Sequence, residues 1–95
     1  MSVLKVNHPE VRQADVDVPS IDTIDTVDVA FTGLVGVQTG ELYLVAFDLA
    51  ALDSGISYAA TAHATAPGEL TVRFVNPTAS GINPDPGVEM TYLQL

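Results

Sequence analysis

Apolar and polar side chains alternate with a period of two through most of this chain, and no window carries a helical period. From Ala14 to Val18 the alternation sets Ala14, Val16 and Val18 on one face and Asp15 and Asp17 on the other, until Pro19 ends the run. After a connection at residues 20–25, Val27, Val29 and Phe31 form the inward side of a second strand. Gly33, Gly36 and Gly40 then supply a turn able to take positive φ. Residues 41–47 (ELYLVAF) are apolar on both faces, as in a strand that is central or sits at a subunit contact. Residues 48–55 read as a loop with one helical turn. Residues 56–64 read as one strand with Ile56, Tyr58, Ala60 and Ala62 inward and His63 outward. The Ala66–Glu69 turn leads into a strand with Leu70, Val72 and Phe74 inward. Three prolines in residues 76–87 stop pairing, and the closing strand places Val88, Met90 and Tyr92 inward.

Six main strands at a spacing of about 8 to 12 residues predict an all-β sandwich or barrel. Two segments depart from that pattern. Residues 1–13 read as an extended N-terminal arm before a domain at 14–95. In the last strand Leu93 and Leu95 share the outward face of Glu89 and Thr91, while Gln94 falls on the core side. Apolar side chains there need cover from the arm or from another chain.

Length and composition narrow the class. The chain has 95 residues, 47% of them apolar, with a mean hydropathy of +0.31. That composition folds as one domain, and no apolar run approaches the roughly 20 residues of a membrane span. No cysteine is present, so neither a disulfide nor a thiolate metal site forms. The first residues lack the apolar stretch of a signal peptide, which argues against signal-directed secretion. Twelve acidic residues against Lys5, Arg12 and Arg73 give a net charge of −9. Such a balance excludes a phosphate-neutralising track for nucleic acid and disfavours an anionic membrane. Concentrated salt screens the self-repulsion, and scarce lysine with abundant aspartate matches the composition of salt-adapted proteins, the alternative being an ordinary acidic surface domain.

Candidate chemistry is sparse. Asp15, Asp17, Asp22, Asp25 and Asp28 crowd one stretch, yet their spacing fits no calcium loop and the strand sends Asp15 and Asp17 to solvent. His8 and His63 have no metal-ligating partner at a useful spacing. Ser54 and Ser57 lie in turn chemistry, outside any nucleophile elbow, and the glycine-rich stretch 33–40 lacks the lysine of a phosphate loop. No catalytic, cofactor or metal residue is expected, and the chain is not read as an enzyme.

The order of strands and turns, with Gly36 to Glu41, Gly55-Ile56, Leu70 to Thr78 and Ile82-Asn83-Pro84, resembles a family of small structural proteins encoded among the virion genes of tailed bacterial and archaeal viruses. The resemblance covers residues 14–95, with Glu41 and Asn83 where the family tends to carry Asp. It implies a single small antiparallel β-sandwich, jelly-roll-like, acting as a capsid decoration or turret component on the virion surface. With the acidic composition, the host implied is a halophilic archaeon. Implied partners are further copies of the chain, as a trimer or else a pentamer, and the major capsid protein. The alternative is a tail or fibre module that binds a host glycan. The expected capsid or subunit interface comprises Val3, Leu4, Lys5, Val6, Val11, Arg12, Leu93 and Leu95.

Overall fold

The computed structural model describes residues 11–53 and 55–95. Val3, Leu4, Lys5, Val6, His8 and Ser54 therefore lie outside the described residues. Seven strands, β1 (Val11–Val16), β2 (Asp25–Phe31), β3 (Leu42–Phe47), β4 (Ser57–Tyr58), β5 (Thr61–Ala66), β6 (Glu69–Asn76) and β7 (Val88–Gln94), join in one antiparallel sheet. The single helical turn α1 (Leu49–Leu52) follows β3. Strand order is β1-β7-β3-β5-β6-β2, with β4 alongside β6.

Most inward residues are those that the period of two selects, but Ala60, expected inward, is exposed because the chain changes pairing partner there. Val16, Phe31, Tyr43, Val45, Phe47, Leu70, Val72, Phe74, Val88, Met90 and Tyr92 are all buried. Phe31 of β2 and Phe74 of β6 lie 5.9 and 5.2 Å from Phe47 of β3, ring centre to ring centre. These strands are not neighbours of β3 in the sheet order, so the sheet curls over its own apolar face to bring them together. Tyr58 joins the cluster 4.7 Å from Phe47, and its hydroxyl accepts the Phe47 N–H. The half-buried hydroxyl thus finds a partner while its ring packs against the core.

Two stretches differ from the sequence expectation. The run 56–64 is divided: Ala59 N–H donates to Arg73 O of β6, whereas Val45 N–H of β3 donates to Ala60 O. The chain changes partner between these residues, which makes β4 and β5 out of one expected strand. At the N-terminal end, β1 starts at Val11, so the boundary drawn between Gln13 and Ala14 falls inside a strand. Val11, Arg12 and Gln13 are paired with Leu93, Tyr92 and Thr91. A truncation at Gln13 therefore removes Val11, Arg12 and Gln13 from their pairing with β7.

Turns hold the ends of the sheet. Gly33, Gly36 and Gly40 all take positive φ, as the glycine spacing led one to expect. At Gly36 φ of +84° strains any side chain, and the Arg12 guanidinium, with Nε 2.7 Å from where a Cβ would stand, would have to swing aside. Tyr43 and Tyr92 donate their hydroxyls to this loop region, Tyr92 to Val35 O at 2.9 Å and Tyr43 to the Glu41 carboxylate or Gly36 O. Burial, with the Glu41 hydrogen bond second, raises the Tyr43 hydroxyl pKa above its ordinary range.

Asn76, at the end of β6, governs the long connection to β7. It is fully buried, and its Nδ2 lies 3.1, 3.1 and 2.9 Å from the carbonyl oxygens of Ile21, Asp22 and Ser80. Its Oδ1 accepts from the N–H and the hydroxyl of Thr78. One amide thereby ties residues 21–22 to residues 78–80, beside the paired Ile21 and Ile82.

Candidate functional site

Two surfaces on the outer side of the sheet carry chemistry. The first is built by register. Val11 of β1 lies opposite Leu93 of β7, and Leu93 lies opposite Leu44 of β3. Leu95 N–H donates to Leu42 O, which brings the end of the chain beside β3. Side chains two apart along a strand share a face, so Leu42 and Leu44 stand with Leu93 and Leu95 on the face away from buried Tyr43, Val45 and Tyr92. The result is an aliphatic face across three strands, with Val11 65%, Leu44 41% and Leu95 62% exposed. Next along lies an uncharged row, Gln13, Thr91 and Ala46, and only beyond it come the acids Asp15 and Glu89. A groove of about 380 Å3, lined by Val11, Arg12, Val35 and Tyr92 among others, borders the face along β1.

Of the residues expected at an interface, the structure brings Val11, Leu93 and Leu95 into this face. Arg12 lies on the opposite side of β1, against Gly36. Leu42 and Leu44 were legible only as the second apolar side of a two-sided strand. Their alignment with Leu93 depends on the register of β3 with β7.

The second surface is a polar cleft of about 300 Å3 between β5 and β6, lined by Thr61, His63, Thr65, Thr71, Arg73 and Asp28 among others. Here the register shifts between Ala64 and Ala66, and the strands no longer run as a regular ladder. Arg73 and Asp28 are directly opposite on β6 and β2. The guanidinium donates from Nε to Oδ1 at 2.8 Å and from Nη2 to Oδ2 at 3.1 Å, a two-pronged pair. That hydrogen bonding, with the guanidinium charge, holds the Asp28 pKa below its ordinary 3.8. Such a cleft can seat a small polar molecule, and its own charges are already matched.

A pH dependence follows from the pair. Because the folded-state pKa of Asp28 lies below the unfolded value, the pair favours the folded state above about pH 4 and loses that effect as pH falls through the lower folded value. Asp28→Asn is expected to lower stability slightly at neutral pH and to match the parent near pH 2. Urea midpoints of both proteins across that range check it, and a constant offset down to the lowest pH would show that the carboxylate charge is irrelevant.

The remaining carboxylates do not converge. Asp25 Oδ1 accepts the Thr26 N–H, and among the described residues no group of three or more histidines, aspartates or glutamates is placed to hold a metal ion.

The chain is thus an all-β domain with one curled antiparallel sheet, an uncharged aliphatic face and a charge-matched polar cleft. Compared with family models, curated proteins and solved structures, it matches none. Its function has to be read from its own geometry and composition.

Proposed function

We propose that this protein is a non-enzymatic structural component of a virion, a capsid decoration or turret protein that oligomerises and binds the shell of the major capsid protein. The observation that carries the reading is the aliphatic face on a domain whose net charge is −9. Exposed, contiguous apolar surface marks contact with another macromolecule. On so acidic a chain, leaving the face free of charge points to assembly. The strand order and turn pattern that resemble virion proteins supply the kind of assembly, and the acidic, lysine-poor composition supplies a high-salt setting.

Particles released from a culture that expresses the gene test this directly. After banding by density at molar salt, the chain is expected in the band of tailed particles, in copy number comparable with that of the major capsid protein. Recovery only from the cell fraction overturns the virion assignment.

A further inference from the structure

We infer that the outward face of β1, β7 and β3 is the site where a second copy of this chain packs, face to face across a two-fold axis. The inference rests on the assembly reading and names the partner of its face.

Charge selects the occupant. A basic partner is recognised through acidic side chains that complement it and steer it. On this face the acids stand back: Val11, Leu42, Leu44, Leu93 and Leu95 are flanked by Gln13, Thr91 and Ala46, and Asp15 and Glu89 come only after them. Two chains of charge −9 approach most readily through a contact without acidic side chains, and Val11, Leu42, Leu44 and Leu93 provide one.

Shape and number select the symmetry. A sheet surface packs on another sheet about 10 Å away with strands near −30°, and a single patch that meets itself does so across a two-fold axis. A ring of three or five needs a second, different patch on each copy. Among the described residues the other strongly exposed aliphatic side chains are Val35, which shares the groove beside Val11, and Ile24, in the β1–β2 connection. Neither makes a separate patch.

Size sets the strength. A face built from five aliphatic side chains is at the small end for a stable pair. The pair is therefore an equilibrium, and its salt response identifies it. Like-charged copies associate more tightly as the Debye length shrinks from about 14 Å at 0.05 M to about 3 Å at 1 M salt, whereas an acidic surface on a basic partner lets go.

Sedimentation equilibrium on the full chain at low and molar sodium chloride reads this out. The expected result is a mass that rises toward two chains with salt. Leu44→Glu and the uncharged Leu44→Thr are each expected to weaken association about tenfold or more. Ile24→Glu serves as the control that leaves it intact, and far-ultraviolet circular dichroism shows that each variant is folded. If Leu44→Glu does not fold, Val11→Glu, opposite Leu93 on β1, takes its place. A monomer at every salt concentration, association that weakens with salt, or association indifferent to both Leu44 variants overturns the inference. A salt-strengthened pair from a chain that is absent from particles leaves the inference standing and removes only the virion assignment. A monomer that is present on particles does the reverse.

Discussion

A chain carrying Phe74→Ala is expected to lose about 3 to 5 kcal/mol of stability, the range for truncating a fully buried aromatic side chain. Phe74 has no solvent exposure, and its ring stands 5.2, 6.1 and 6.2 Å from those of Phe47, Phe31 and Tyr58. These four residues belong to β6, β3, β2 and β4, so the lost volume opens where the curled sheet closes on itself. The surrounding strands are held by their ladders and relax only partly into the space. Domains of this size are stable by roughly 5 to 14 kcal/mol, so the loss is a large share of the total. Urea unfolding followed by circular dichroism measures it, and Phe74→Leu, which keeps more of the volume, is expected to cost well under half as much. A loss below about 1 kcal/mol for the alanine variant would mean that the rings do not meet as described.

The other large effect is expected at Asn76. Replacing it with aspartate turns the donor that faces the carbonyl oxygens of Ile21, Asp22 and Ser80 into an acceptor, in a fully buried position. An unpaired buried charge of this kind costs about 3 kcal/mol or more at neutral pH. The sign of its pH dependence separates this mechanism from a loss of packing. Folding disfavours the ionised form, so the folded-state pKa of the new carboxyl rises above the unfolded 3.9 or so. Relative to the parent, the variant is then expected to regain stability as pH falls from 7 toward 5, because the folded state takes up the proton first. Asn76→Ala strands the same carbonyls with no titratable group, and its deficit is expected to stay level with pH. Paired urea titrations at the two pH values decide the matter: equal deficits for Asn76→Asp at both would exclude a buried carboxylate as the cause.

Asn76 also shows what one sequence conceals. Inward positions such as Val27, Phe31, Leu70, Val72, Phe74 and Met90 follow from the period of two, because solvent on one side and core on the other impose it. Nothing local shows that the amide of Asn76 reaches residues 21–22, more than fifty positions earlier. The Asp28–Arg73 pair is hidden for the same reason: its partners are set by the register of β2 with β6. The division into β4 and β5 is hidden differently. Alternation of small residues runs on through Ala59 and Ala60, while the hydrogen bonds pass from one neighbouring strand to another. Residues 11–13 of β1 read as part of an arm because the stretch up to Gln13 holds two of the three basic residues and only a brief apolar patch, while its pairing with β7 is set by register. For the candidate face, the outward direction of Leu93 and Leu95 was legible, but their junction with Leu44 and Val11 depends on strand pairing.

The place of β3 between β7 and β5 has a consequence for synthesis. Both of its neighbours follow it in sequence, and β7 follows every other strand, so β3 leaves the ribosome with two apolar faces and neither ladder partner yet made. β1 waits for the same strand. The sheet therefore closes only after residue 88 has emerged, and the loops that must close first make folding slow, on the scale of milliseconds to seconds typical of sheets built from distant pairings. During that interval Leu42 to Phe47 is the segment most exposed to capture by another nascent chain, and the net charge of −9 keeps such chains apart.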